Sequence, residues 1–294
     1  MAVDAARYSL ELGPRTKRRK LINLLMQVLA TLAALIAVAV LAIVVISVAQ
    51  RGASALSWDF FTKTAATFGQ SGGGVSNVLV GSIVIVALAT AMAVPVGILI
   101  AIYVSEFAPP SFANLTRLVL DVLNGLPSII IGVFVYGLLV IGSGQAAWKG
   151  SFALAIIMLP LIARATQEVL ALVPGNLREG ALALGASRWR TVLGVVLPTS
   201  LGGIVTGTVL AVARAAGETA PLLFTTSIAA NAVTWDPRQP VVAIPLAIFQ
   251  FSESPDPADH ARAWALGFVL ISFVLVTSLS ARLLLARHRK KLEG

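Results

Sequence analysis

Six mostly apolar stretches, each of about 20 residues or more, recur along the chain at roughly 21–49, 77–103, 118–141, 151–170, 199–223 and 261–285. A helix rises 1.5 Å per residue, so each is long enough to cross a hydrocarbon layer of about 30 Å. The pattern predicts an all-α, polytopic membrane protein with six transmembrane helices. Two segments break the rhythm. The apolar run 241–251 is too short to cross and is bounded by Pro240 and a Ser254-Pro255-Asp256-Pro257 turn, which predicts a re-entrant or interfacial piece closing the outer face of a cavity. The run 179–198 is polar and basic between two apolar stretches, with Arg178, Arg188 and Arg190 around Gly185. It predicts two short helical halves and a docking surface. The first stretch follows basic residues at 15–20 and ends in Ser47-Val48-Ala49, which looks like a cleavage site. Its apolar length is about twice a signal-peptide core, so it reads as a span.

Composition strengthens this picture. With 57% hydrophobic and 12% charged residues and a mean hydropathy of +0.90, most windows of this chain are too apolar for water. The net charge of +9 sits at the chain ends and in short loops, without interleaved aromatics, which excludes a nucleic-acid surface and points to topology. If the N-terminus is cytoplasmic, the inner segments carry fifteen Lys and Arg (six before the first span, Arg117, Arg178, Arg188, Arg190, and five at 282–291), against Arg51, Lys63, Lys149, Arg238 and Arg262 outside. That bias places both termini, and 179–198, in the cytoplasm. The outer segment 50–76 carries Trp58, Phe60 and Phe61, expected at the membrane interface, and a flexible Gly72-Gly73-Gly74. With no cysteine, disulfides, thiol nucleophiles and Cys metal sites are excluded. His260 and His288 have no partners in sequence that suggest a metal site and read as solvated loop residues.

Charges within spans are few. Arg164 and Glu168, four apart near the inner end of the fourth span, are placed to pair or snorkel and read as structural. Arg214 lies about 15 residues into the fifth span, near the bilayer midplane. A midplane arginine costs about 2.5–3.5 kcal/mol on insertion scales, which asks for a function. Glu218 is one turn further on, and the small residues Gly203, Gly207, Ala211 and Ala215 form a stripe that lets another helix approach. A guanidinium lining a dry passage suits a tetrahedral oxyanion, with Glu218 holding the arginine and moderating its grip. No Gly-Lys dipeptide occurs, so the chain has no P-loop and any ATP is hydrolysed elsewhere. No paired carboxylates or Ser/His set suggests an enzyme.

The run 179–198 resembles the EAA loop of ABC-importer permeases: Glu179-Gly180-Ala181, three residues, Gly185, nine residues, then Val195-Val196-Leu197-Pro198. It departs from the family pattern at Gly180, where alanine is usual, and at Val195, where isoleucine is usual. The segments at 57–64, 72–82, 124–134 and 213–223 resemble the PstA family of phosphate-specific permease subunits, and the last contains Arg214 and Glu218. The resemblance implies a MetI-like ABC permease bundle with a cytoplasmic coupling helix in a bacterial or archaeal inner membrane. It implies a basic N-terminal segment at 1–20, a permease domain over 21–285 with its core at about 77–285 and coupling loop at 174–198, and a basic tail at 286–294. Glu179, Gly180, Ala181, Gly185, Ala186, Trp189 and Arg190 would couple to an ATPase, and Arg214 and Glu218 would line the substrate pathway. The implied partners are a PstC-like homologous permease, a PstB-like ATPase dimer and a PstS-like extracytoplasmic phosphate-binding protein. ATP and Mg would be bound by the ATPase, with no cofactor in this chain. A permease for sulfate, molybdate or phosphonate, and an ion-driven secondary transporter, are the alternatives.

Overall fold

The computed structural model describes residues 14–64 and 73–292. Residues 1–13 of the basic segment, Gly72, the side chain of His288 and those of the basic tail lie outside what is described. The chain divides at Gln50 into two compact units. The described part of the first is α1 up to Gln50; α1 (Pro14–Ala53) is a 40-residue helix whose apolar stretch is long enough to span with some tilt.

The second unit contains α2 (Trp58–Thr62), α3 (Ser76–Ile102) ending in a π turn at Tyr103–Phe107, α4 (Pro110–Gly125), α5 (Ser128–Val135) ending in a π turn at Tyr136–Val140, and α6 (Ala147–Ala171). There follow α7 (Gly175–Ala183), α8 (Arg188–Thr191), a π turn at Val192–Val196, α9 (Leu197–Ala216), α10 (Ala220–Thr225), α11 (Ile244–Ser252) and α12 (Pro257–Leu292). Among the described residues there is no strand, as the hydropathy pattern predicts.

Helix α6 is the centre of the bundle. Leu154, Met158 and Ile162 are fully buried, and Ile85 and Ala89 of α3 with Ala211 and Ala215 of α9 complete the core around them. Between apolar helices in lipid there is little hydrophobic driving force, so close van der Waals packing over small residues does this work. The stripe foreseen on α9 behaves that way. A Cβ on Gly207 would come within 2.6 Å of the Cβ of Ala165, and one on Gly203 would strike Val169.

Two of the six expected spans are not single helices. The third, 118–141, bends by 96° between α4 and α5. Pro127 excludes the helical conformation from Leu126, whose ψ of 134° is extended. From Ser128 to Val140 the second half is only about 20 Å long, so neither half crosses alone. The fifth, 199–223, starts earlier and ends earlier. Continuous helix runs from Arg188 to Ala216, stops at Gly217, and resumes as α10, whose first turn contains Pro221.

The outer segments also differ in part from expectation. Of the three aromatic residues, Phe60 is buried, while Trp58 and Phe61 are exposed. Lys149, expected in a solvated loop, is buried and donates to Ser143 Oγ at 2.8 Å and the Gly144 carbonyl at 2.6 Å, fixing the turn before α6. His260 is exposed, with its Nε2 2.8 Å from the Ser254 carbonyl. The short apolar run forms α11, which helps line a cavity of about 410 Å³ with Asn77, Ala230, Asp259 and Arg262.

Candidate functional site

The height of Arg214 in the bundle follows from the register of α9 on α6. Gly203 meets Val169 and Gly207 meets Ala165, so the antiparallel pair carries Arg214 to the level of Met158, close to the middle of the 25-residue α6. At the far end Gly150 lies against Leu222 and Thr226, which places α10 beside the start of α6. The break at 217–219 therefore falls at mid-height of the bundle.

Arg214 sits in the last turn of α9, where the carbonyl end of the helix favours a cation. Its Nε is 3.7 Å from Glu218 Oε1. That is an ion pair too long for a hydrogen bond. Glu218 is not on the helix, as the sequence suggested, but in the break, where its N–H donates to the Ala215 carbonyl at 3.1 Å. The side chain of Arg214 is 60% exposed and that of Glu218 18%. The stripe of small residues faces α6, and Arg214, one residue away from Ala215, faces off the chain. Irregular backbone at membrane depth is tolerated only where protein covers it or water fills a cavity. Arg214 is thus an exposed charge beside a helix break at mid-height of the bundle.

The loop at 174–198 folds as two helical halves. Helix α7 ends in a Schellman motif: the Gly185 N–H donates to the Leu182 carbonyl at 2.9 Å and the Ala186 N–H to the Ala181 carbonyl at 3.1 Å. The motif requires a left-handed residue, and Gly185 has φ +82°. Ser187 then caps α8 by accepting from the Arg190 N–H. The fixed spacing around Gly185 is thus the spacing of one helix stop and one helix start. Space around Gly185 is open, so Gly185→Ala suffers only backbone strain of about 1–2 kcal/mol. It is expected to lower the thermal stability of the loop in hydrogen exchange, with Gly185→Asn, which tolerates this conformation, losing less; equal losses would mean that the turn is not the constraint.

Glu179, Gly180, Gly185 and Arg190 are exposed, and Ala181 and Ala186 are partly covered where the motif closes. Trp189 is 52% exposed, with its ring 5.7 Å from that of Phe107 at the foot of α3. Sequence reading missed that this polar loop also presents apolar side chains, Leu177, Leu182 and a 90% exposed Leu184. Their signal was present as leucines on the helix flanking an otherwise solvated run.

Two arginines have other partners than expected. Arg178, read as part of the docking surface, is partly buried. It donates to Glu106 Oε1 at 2.9 Å and to the Val173 and Leu170 carbonyls at 2.6 and 2.8 Å. Arg164 pairs with Asp121 of α4 and not with Glu168; its Nε lies 2.8 Å from Asp121 Oδ1. Asp121 carried a signal that the apolar average hid, a carboxylate within the third stretch; Glu106 lies 72 residues from its arginine.

Known proteins share the sequence family and the fold of this chain. The family model described as binding-protein-dependent transport system inner membrane component matches residues 93–290. The chain is similar to the phosphate transport system permease protein PstA of Haemophilus influenzae, 38% identical over 274 residues, covering 92% of this chain and 96% of that protein. Among solved structures it is similar to a chain of a bacterial alginate ABC transporter, with a TM-score of 0.60 at 15% identity over 90% of this chain and 93% of that one. It is also similar to a chain of the methionine ABC transporter MetNI, with a TM-score of 0.56 at 20% identity over 73% and 94%.

Proposed function

The chain belongs to the family of binding-protein-dependent transport system inner membrane components, and from that premise we propose that it forms half of the translocation pathway of an ATP-driven phosphate importer. Its fold is that of a MetI-like ABC permease, a multi-pass membrane component that works with an ATPase and a binding protein and is not itself an enzyme. The observation that carries the phosphate reading is Arg214 with Glu218 on an open face, beside a helix break at mid-height of the bundle. A permanently charged, planar fork there attracts an oxyanion, and Glu218 keeps the empty site neutral and competes for the arginine. A PstC-like permease completes that face.

The exposed faces of α7 and α8 dock into a PstB-like ATPase dimer, which holds ATP and Mg. Glu179, Gly180, Ala181, Gly185, Ala186, Trp189 and Arg190 belong to this contact, a short helix set in a groove. A PstS-like protein delivers phosphate on the other side. Both termini are cytoplasmic in this arrangement, by the distribution of Lys and Arg. ATP binding draws the coupling loops together and opens the passage outward; hydrolysis resets it.

Purification of the chain with its bound subunits and reconstitution into vesicles tests the proposal. Phosphate uptake is expected to require ATP and the binding protein, with sulfate and molybdate excluded. Uptake that survives ATP depletion but collapses with an ion gradient would sink it, and uptake of another oxyanion in place of phosphate would correct the cargo.

A further inference from the structure

Two spans of the bundle are broken, and the two breaks meet. Helix α5 runs beside α10 in a fixed register. A Cβ on Gly132 would lie 2.6 Å from the Pro221 Cα, and the ring centroids of Tyr136 and Phe224 are 6.4 Å apart. Ser128 is one turn further inward on this same face of α5. What stands opposite it is not α10, which begins only at Ala220, but the break at 217–219 that holds Glu218. The 96° bend before α5 and the stop at Gly217 therefore lie side by side at the height of Arg214.

That bend leaves the Ser128 hydroxyl without a partner. Elsewhere in the bundle such hydroxyls donate to the carbonyl four residues back: Thr90, Ser151, Ser200 and Thr225 do so at 2.7–2.9 Å. Ser128 is the first residue of its helix, and the carbonyl four back, on Asn124, belongs to α4 across the bend. Among the described residues its hydroxyl makes no hydrogen bond, to Glu218 or to any other group. The side chain is half-buried and lies at membrane depth, where a polar group away from bulk water needs a partner.

An oxyanion beside Arg214 supplies that partner. A guanidinium fork binds a tetrahedral anion through two of its oxygens, and the others stay open to a second donor. Substrate sites in membrane transporters form where broken helices meet near the midplane, because an interrupted helix frees polar groups there. We infer that Ser128 is a further ligand of the transported oxyanion, donating from α5 to an oxygen that Arg214, on α9, does not use. The inference rests on the proposed function above. A neutral hydroxyl adds direction without adding charge, so it positions the ion between two helices and does not trap it. Relative movement of α5 and α9 then changes the grip on the ion.

The chain has no cysteine, so Ser128→Cys introduces a single thiol whose modification can be followed by mass on this chain. In the reconstituted complex the anionic reagent sulfonatoethyl methanethiosulfonate is expected to modify it. Inorganic phosphate is expected to slow the modification severalfold, and chloride at equal ionic strength is not. Ser128→Ala is expected to lower phosphate uptake per assembled complex about tenfold, the loss of one hydrogen bond to an anion. Ser128→Thr, which keeps the hydroxyl, should retain most of the uptake. A role in starting α5 alone would lower assembly of Ser128→Ala and leave uptake per assembled complex unmoved. The assignment is overturned by that result, or by modification of Ser128→Cys at the same rate with and without phosphate. Should Ser128→Cys not assemble, Ser128→Ala against Ser128→Thr decides, equal losses overturning it. Each of these results, with uptake by the native complex intact, removes Ser128 and keeps the transport function. A native complex that takes up no phosphate removes the proposed function itself.

Discussion

Arg214→Gln is expected to reduce phosphate uptake by roughly a hundredfold or more while the complex still assembles and hydrolyses ATP. Assembly survives because the side chain is 60% exposed and its ion pair with Glu218 spans 3.7 Å, so little packing or hydrogen bonding within the chain depends on it. Its position near the carbonyl end of α9 contributes a few tenths of a kcal/mol to about 1 kcal/mol, which is small beside the stability of a helix bundle. Uptake does not survive, because glutamine keeps the hydrogen-bonding capacity in part but loses the charge. Two charge-assisted hydrogen bonds at about 1.5–3 kcal/mol each correspond to a factor of a hundred or more in occupancy at 1.4 kcal/mol per tenfold. Glu218→Gln should act in the opposite direction on affinity, since the competitor for the guanidinium is removed. Tighter retention with slower release is the expected form. Near-normal uptake by Arg214→Gln would end the pathway role.

What the sequence revealed depended on whether a feature was local. The EAA-like spacing is a local device, a helix stop at Gly185 and a helix start at Ser187, and a local pattern shows it completely. The stripe on α9 is local too, and its partner α6 needed only close approach. Arg214 stood out because charge is rare in such a chain, and the sequence count placed it near midplane. Counting along the actual helix from Arg188 instead puts it about 39 Å from the start; only its register on α6 restores the middle position. The breaks were within reach but overridden. Leu126-Pro127 and Gly217 with Pro221 carry the backbone signals for stopping a helix, yet the apolar runs on either side joined them into single spans. Nothing local reveals the ion pairs of Arg178 with Glu106 and Arg164 with Asp121, because those contacts are made by tertiary packing between segments far apart in the chain. The unbonded hydroxyl of Ser128 is invisible for the same reason: that its face of α5 meets the second break is a property of the fold.

Arg178→Ala is expected to uncouple the machine and not merely weaken it. Arg178 joins three elements at once. It caps the end of α6 through the Leu170 carbonyl and the turn beyond it through Val173, and it reaches Glu106 in the π turn after α3. A cation at the carbonyl end of a helix is well placed, and here it also fixes where α7 begins. Its side chain is 26% exposed and that of Glu106 12%, so the contact lies between a surface ion pair, worth 1 kcal/mol or less, and a buried one whose half-removal costs 3–5 kcal/mol. About 2 kcal/mol is the reasonable discount. That is too little to unfold a bundle whose core is Leu154, Met158 and Ile162, but enough to release α7 from the foot of α3 and α6. The expected result is an assembled complex that hydrolyses ATP with uptake per ATP lowered by about tenfold or more. The double variant Glu106→Gln with Arg178→Ala should recover part of the stability, since no carboxylate is then left unpaired, and should recover none of the coupling, since the two carbonyl contacts stay lost. If instead uptake per ATP stays normal in Arg178→Ala, the loop is positioned by α8 and Trp189 on Phe107 alone, and Arg178 serves only stability.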